Sequence, residues 1–269
     1  MIKFSNCKIN IGLEIVSKRT DNYHNIESVF YPIPLKDIVE MVPNAENNFN
    51  YTQSGIIVDA AVEDNLLYKA WKLIDEEYKI GGVNVHLHKQ IPMGAGLGGG
   101  SANAAILLKM LNEEFELGLS TKNLESYAAV LGSDCPFFIE AKPAFVYNTG
   151  TDFYSIDLNL EGYYLVLIKP EIHISTQEAY SGIELQKSNI NLNEINKIPI
   201  GEWKGKVYNR FENHIFKLHP QLKEIKKELY NMGAVYASMS GSGSSIYGIF
   251  EKEPDVEGFD GSFVKILML

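Results

Sequence analysis

Cysteine is nearly absent from the chain: Cys7 and Cys135 are the only two in 269 residues. Two thiols cannot build a disulfide framework, and this pair lacks the spacing of a zinc site. Both read as small apolar fillers of a core. Long apolar runs are missing too, and none approaches the roughly 20 residues of a membrane-spanning helix. The opening Met-Ile-Lys-Phe-Ser-Asn lacks the apolar stretch of a secretion signal, so a cytoplasmic protein without a membrane partner is expected. Positive charge is scarce: 24 Lys and Arg stand against 34 Asp and Glu, a formal net charge of −10. A nucleic-acid binder needs a basic stripe, so no nucleic-acid partner is expected. The acidity reads as solubility. It does not exclude an anionic substrate, because backbone N–H groups can hold a phosphate in a locally positive pocket.

What is present is the composition of a globular protein, 45% apolar and 22% charged, long enough for one large domain or two modest ones. Residues 3–16 alternate and are rich in Ile, which predicts one or two strands. A polar break over 17–22 follows, then Tyr23-His24. Asp64 or Asn65 can cap a helix that carries Leu66, Leu67, Ala70, Trp71, Ile74 and Tyr78 on one face. Val83, Val85 and Leu87 alternate with polar residues, as in a half-buried strand. A helix is expected over about 122–131, capped by Ser120 or Thr121 and stopped at Gly132. Residues 163–168 suit a buried strand, and 185–203 is polar and weakly patterned, as expected of a mobile or variable stretch. Leu218, Leu222, Ile225, Leu229 and Met232 predict one amphipathic helix closed by Gly233. Residues 234–250 read as two strands joined at Gly241-Ser242-Gly243. The mixture is α+β, and a change in character near 150–160 divides it into 1–155 and 156–269.

The most informative segment is Pro92-Met93-Gly94-Ala95-Gly96-Leu97-Gly98-Gly99-Gly100-Ser101-Ala102, with five glycines in seven residues between a strand and an Ala-rich helix. Without Cβ atoms such a backbone can curl tightly and approach a ligand closely. Successive N–H groups then form an anion nest, to which the following helix adds its positive end. Polyphosphate binding is the chemistry this pattern serves, and Ser101 can offer its hydroxyl to a phosphate or to magnesium. The run lacks the Gly-Lys-Ser/Thr ending of a Walker A loop, and the segment downstream does not fit a Rossmann unit. A flexible linker is the plain alternative, but linkers do not usually join a strand to an Ala-rich helix.

This run resembles the phosphate loop of the GHMP kinases, the superfamily of galactokinase, homoserine kinase and the mevalonate kinases. Three further segments narrow the resemblance to the branch that phosphorylates a cytidyl diphosphate substrate of the non-mevalonate isoprenoid pathway. They are Lys8-Ile9-Asn10, Arg19-Thr20-Asp21-Asn22-Tyr23-His24 and Leu131-Gly132-Ser133-Asp134-Cys135-Pro136-Phe137-Phe138. Met239-Ser240-Gly241-Ser242-Gly243-Ser244 is similar to the superfamily's C-terminal glycine turn. Asn22 replaces a usual Gly, and Asn tolerates a left-handed turn. Cys7 stands where Ala is usual. Arg210, in Asn209-Arg210-Phe211-Glu212, stands where the resembled kinases often carry Asp, and no role is assigned to it.

The resemblance implies a two-lobed fold, with a ribosomal protein S5 domain 2-like N-terminal lobe and a ferredoxin-like C-terminal lobe. It implies ATP as phosphoryl donor, with magnesium held mainly by the ATP phosphates, and residues 92–102 around those phosphates. Asp134 would take or orient the proton of the acceptor hydroxyl, and Lys8 would keep Asp134 ionised and offset charge on the phosphoryl group. Tyr23 would stack on the cytosine, His24 would bond its polar edge, Tyr180 would offer a second stacking face, and Thr176 and Asn10 would complete the acceptor site. Adenine is expected near residues 65–89. Read without the resemblance, Asp134 is a turn residue, Lys8 a solvated strand residue, and Tyr23 and His24 an edge aromatic and a surface imidazole. His86 and His88 share a strand face, but two ligands do not complete a metal site, and none is assigned. Other acceptors on the same fold (a sugar, homoserine, a mevalonate derivative) and a non-catalytic nucleotide binder remain the alternatives.

Overall fold

The structure, a computed structural model, describes residues 1–21, 23–183, 185 and 190–269. Asn22, expected in a left-handed turn, lies outside the described residues. In chain order the elements are β1 (Ile2–Lys18), β2 (His24–Asn44), β3 (Phe49–Gly55), α1 (Leu66–Tyr78), β4 (Gly82–Lys89), α2 (Gly99–Glu114), α3 (Thr121–Leu131), α4 (Phe137–Glu140), β5 (Ala144–Asn148), β6 (Asp152–Ser155), β7 (Tyr164–Lys169), α5 (Thr176–Ser181), α6 (Glu212–Leu218), α7 (Pro220–Asn231), β8 (Tyr236–Met239), β9 (Ile246–Phe250) and β10 (Phe263–Met268). Among the described residues no helix is long and apolar enough to cross a membrane.

The chain packs as two interleaved compact units. One comprises Met1–Cys7, Leu35–Met93 and Gly98–Lys142; the other comprises Lys8–Pro34, Gly94–Leu97 and Pro143–Leu269. Both units draw on β1 and β2.

In the first unit the C-terminal half of β2 pairs antiparallel with β4, from Ile38↔His88 to Asn44↔Gly82. β4 pairs parallel with β3 on its other edge. α1 begins where the Asn65 side chain accepts the Leu67 N–H, and it buries Leu67, Ala70, Trp71 and Ile74, as its periodicity predicts. α2 is buried on most of its circumference and packs against α1, α3 and α4. Its alanines let those helices approach closely. α3 starts in a capping box in which Ser120 and Asn123 exchange hydrogen bonds.

One charged side chain at the centre of this unit has no counterpart in the apolar pattern. Asp37, on β2, is fully buried. Its Oδ1 accepts the N–H groups of Gln90 at 2.7 Å and Ile91 at 2.8 Å. Its Oδ2 accepts Lys89 Nζ and, at 3.0 Å, Asn103 Nδ2. Asn103 also donates to Ser5 Oγ at 2.8 Å. Two backbone groups just before the glycine run and one α2 side chain just after it therefore converge on one carboxylate.

In the second unit β1 lies beside the N-terminal half of β2, which continues through β5 to β6. A separate antiparallel sheet has the order β10-β7-β9-β8. Counted from β7 this is the 4-1-3-2 order of a ferredoxin-like sheet. Its second helix is missing, since residues 251–262 hold no helix between β9 and β10. That loop instead adds Val256 and Phe259 to the core that α7 forms with the sheet.

Residues 3–16 belong to one strand, β1, within the one or two expected. Elsewhere the structure departs from the expectations. Within the stretch 185–203, expected to be mobile or variable, Leu192, Ile195 and Trp203 are buried, and Trp203 Nε1 donates to the Ile198 carbonyl at 2.9 Å. Short 3₁₀ turns carry these apolar residues, so no helical or strand period announces them. Residues 218–232 are not one helix. Pro220 opens α7 and drives His219 out of the helical region, to φ −126° and ψ 74°, and Leu218 ends α6 with half of its surface exposed.

The Asp37 contacts predict a specific stability effect. Asp37→Ala leaves Lys89 buried without its partner, and should cost about 3–5 kcal/mol in chemical denaturation. Lys72→Ala, which removes an exposed 4.0 Å pair with Glu76, should cost less than about 1 kcal/mol in the same measurement.

Candidate active site

The glycine run turns by alternation. Gly94, Gly96 and Gly98 have φ of 58°, 71° and 67°, the left-handed region, whereas Ala95 and Leu97 between them do not. Ala95 and Leu97 are buried and anchor the loop. Alternation of left-handed glycines with residues that lack positive φ suits the backbone of an anion nest. The loop then enters α2 with Gly98 as an N-cap that supplies no side-chain hydrogen bond. Asn65, Ser120 and Ser175 do cap α1, α3 and α5. No acidic residue lies in the first turn of α2. A Cβ on Gly100 would meet only Leu66 Cδ1, at 3.8 Å. The start of this 16-residue helix thus offers N–H groups and space to an anion.

Within the first unit, Ser101 in the first turn of α2 lies beside the thiol of Cys135. That contact brings the Asp134 turn to the start of α2. Gly132 ends α3 in an extended conformation, φ 168°, and Pro136 leads into α4. Asp134 is therefore held between two helices and is half-buried. Burial, with the Asp134 carboxylate beside it, pushes the Cys135 thiol up to about 11. Cys135 and Cys7 are both fully buried, as the filler reading requires.

Within the second unit, Lys8 is buried, and its Nζ donates to Asn10 Oδ1 at 2.6 Å and lies 3.4 Å from the Gly96 carbonyl. It also stands 4.3 Å from the centroid of the Phe30 ring. Asn10 donates to Ser28 Oγ at 2.9 Å, and its carbonyl accepts the Tyr247 hydroxyl at 2.7 Å. Ser240 Oγ accepts the Asn10 N–H at 3.3 Å and donates to the Gly96 carbonyl at 2.8 Å. A Cβ on Gly96 would collide with the Ser240 carbonyl oxygen. Lys8, Asn10, Gly96 and the C-terminal glycine turn are thus one hydrogen-bonded assembly.

Sequence reasoning left the Asn209-Arg210-Phe211-Glu212 segment without a role, and here it supports that turn. Asn209 Nδ2 donates to the carbonyls of Met239 and Gly241, both at 2.8 Å. Glu212 Oε1 accepts the Met239 N–H at 2.8 Å, and its Oε2 accepts Lys226 Nζ at 2.6 Å. Arg210 pairs with the buried Glu14 at 2.5 Å. Ser28, Tyr247 and Asn209 escaped the sequence reading because their bonds run to distant backbone. The one local signal was Asn-x-Phe-Glu, itself noticed only for its departure at Arg210.

His24 and Tyr180, both expected at the acceptor, stack directly, with centroids 4.9 Å apart and planes at 22°. Tyr180 also meets Phe211 edge-on at 4.8 Å. No base fits between His24 and Tyr180 at that separation. Tyr23 is 67% exposed, and Thr176 is exposed at the first position of α5. The structure therefore joins Lys8 with Asn10, Ser101 with the Asp134 turn, and His24 with Tyr180, while Tyr23 and Thr176 stand at the surface. His86 bonds Thr52 and Ser54, and His88 bonds Ser54, all through hydroxyl oxygens at 2.8–2.9 Å. Among the described residues no three His, Cys, Asp or Glu side chains gather as a metal-holding group.

Residues 65–142 match the GHMP kinases N terminal domain, and residues 194–259 match the GHMP kinases C terminal domain. A crystal structure of a 4-(cytidine 5'-diphospho)-2C-methyl-D-erythritol kinase superposes with a TM-score of 0.82 at 26% identity, covering 100% of this chain and 99% of the other. The Methanococcus jannaschii mevalonate kinase shares the fold at 12% identity, with a TM-score of 0.70 over 100% of this chain and 98% of the other. Two relatives named 4-diphosphocytidyl-2-C-methyl-D-erythritol kinase are closer in sequence. The Bacteroides fragilis (strain YCH46) protein is 48% identical over 97% of this chain and 96% of its own length. The Bacteroides thetaiotaomicron protein is 50% identical over 94% and 93%. The chain belongs to the GHMP kinases and, within them, to the family of the 4-diphosphocytidyl-2-C-methyl-D-erythritol kinases.

The loop geometry makes Gly96 the least replaceable of its glycines. Gly96→Ala should weaken binding of a non-hydrolysable ATP analogue by about tenfold or more in calorimetric titration, because φ and packing both exclude a Cβ there. Gly118→Ala is the control: its φ is 67° and a Cβ there meets nothing within 4 Å, so ATP affinity should stay at the parent value.

Proposed function

We propose that the chain transfers the γ-phosphate of ATP to the 2-hydroxyl of 4-diphosphocytidyl-2-C-methyl-D-erythritol, in the cytoplasmic non-mevalonate route to isoprenoid precursors. The supporting observation is the alternating glycine loop that opens into an uncapped α2, in a chain about half identical to relatives of that name.

Phosphoryl transfer asks a protein mainly to position the reactants and offset charge. In this reading the backbone of residues 92–102 and the start of α2 hold the ATP phosphates, with Ser101 adding a hydroxyl. Adenine lies toward residues 65–89. Magnesium is carried by the ATP phosphates and water, as is usual for this cation. Asp134 accepts the proton of the acceptor hydroxyl as its oxygen bonds to the γ-phosphorus and ADP leaves. Lys8, held by Asn10, offsets the charge on the transferring group. Asn10 and Thr176 contact the acceptor, and Tyr23, His24 and Tyr180 recognise its cytidine.

The direct test incubates purified protein with ATP, magnesium and the cytidyl acceptor. ADP release that depends on the acceptor is the expected result, and release no higher than with homoserine or mevalonate would contradict the reading. Asp134→Asn should lower kcat by about 10²-fold or more, the scale of general-base catalysis, with ATP affinity little changed.

Acceptor binding should also depend on pH through His24. Burial, and then the charge of Lys18, hold its imidazole below the ordinary range. The folded protein therefore binds this proton less tightly than the unfolded chain does, and acidification below about pH 6.5 works against the neutral native form. KM for the acceptor is expected to stay flat above about pH 7 and to rise as pH falls through a midpoint below about 6.5. A His24→Asn variant should remove that rise.

A further inference from the structure

Helix α5 carries Thr176 and Tyr180 on a segment of six residues. A helix that short is not stable by itself. Its N-cap, Ser175 Oγ accepting the Glu178 N–H at 3.0 Å, fixes only the first turn. Ala179 is buried in the core, and further restraints come from α6 and the residues flanking it. Phe211, just before α6, meets the edge of Tyr180 at 4.8 Å. His214, within α6, places Nε2 3.2 Å from Ser181 Oγ. His219, just after α6, places Nε2 3.0 Å from Glu178 Oε1. The fit is close enough that a Cβ on Gly182 would strike the His214 ring. The face of Tyr180 then stacks on His24.

Two of the chain's six histidines thus grip the short helix from one neighbour, through a hydroxyl and a carboxylate. Neither is used by phosphoryl transfer as derived above. The His219 contact also acts on its partner: Glu178 is held below the usual carboxylate range, first by the hydrogen bond from His219. We infer that His214 and His219 are positioning residues for acceptor specificity, holding α5 so that Tyr180 stands parallel to His24 at the cytidine end. This rests on the proposal that Tyr180 and His24 recognise cytidine. The grip touches neither the glycine loop nor Asn10, so its loss should act on the acceptor and leave the donor alone.

The test compares His214→Ala, His219→Ala and the double variant in steady-state assays, with CMP as a competitive probe of the cytidine end. The double variant should raise the acceptor KM and the CMP inhibition constant together by about tenfold, the scale of one hydrogen bond to a charged group. kcat and the KM for ATP should stay within about twofold, since only binding at one end is disturbed. Glu178→Gln, which keeps an acceptor oxygen for His219, should lose less than Glu178→Ala does, a rescue that a merely structural role would not give. If the histidine double variant unfolds, the Glu178 pair carries the test. Tyr180→Ala is run in parallel. A raised acceptor KM for Tyr180→Ala with parent values for the histidine and Glu178 variants would overturn this inference alone. Parent values for Tyr180→Ala would remove the cytidine reading, and the inference with it. Equal losses in kcat and both KM values would also overturn it, as a general loss of folding.

Discussion

A single buried carboxylate fixes the site's frame. Glycines are what let residues 94–100 curl tightly, but they also make the unfolded loop highly flexible, so ordering it is entropically costly. Asp37 offsets that by holding the chain on both sides: Gln90 and Ile91 before the loop, Asn103 after it. Lys89 neutralises the buried charge and sits beneath Gly99, where a Cβ would lie 3.1 Å from its Nζ. An apolar group of similar volume at Asp37 could match the stability of the pair. It could not accept four hydrogen bonds from three directions. What the ion pair supplies is position more than stability.

The second unit meets the same requirement with neutral groups. Ser240, Asn209 and Tyr247 satisfy backbone atoms around Gly96 and Asn10 in the buried interior, where an unmatched polar group is costly. The network extends outward through Glu212 to Lys226 and through Arg210 to Glu14. It is not fully matched. Glu14 Oε1 is buried without a hydrogen-bond partner among the described residues, so the carboxylate is held through its other oxygen. A charge fixed on one side only depends strongly on that partner, and so Arg210 is more than an incidental departure from the family pattern.

Local chemistry was legible in the sequence wherever it repeats along the chain. The Asn65 and Ser120 caps, the α1 stripe and the alternation of β4 were readable because each is encoded within a few residues. The glycine run was readable because no common element needs five glycines in seven residues. Asp37 was not, since a lone acid in a strand has the same local context whether it faces water or pairs with Lys89, 52 residues away. Ser240 and Gly96 are 144 residues apart, and neither neighbourhood contains the other. Helix ends that depend on a single residue were misjudged for the opposite reason. The apolar spacing through Leu218 was persuasive, yet Pro220 overrides it by sterics alone.

The charge balance returns here as a physical question. A protein of net charge −10 is proposed to bind two polyanions. Over distances beyond about 8 Å its net charge is screened at physiological ionic strength, so the field within a turn of the ligand decides. The first turn of α2 carries no acidic residue and no capping side chain, and it presents backbone N–H groups. The arrangement also explains why the donor and acceptor ends can diverge separately. Backbone N–H groups do not change when neighbouring side chains do, so the phosphate loop constrains sequence only through its glycines and its buried Ala95 and Leu97. In the proposed reading the acceptor end is built from side chains, mostly on a short helix and near the start of β2, with Asn10 on β1. In that reading a change of acceptor falls on side chains such as Tyr23, His24, Thr176 and Tyr180 and not on the glycines of the loop.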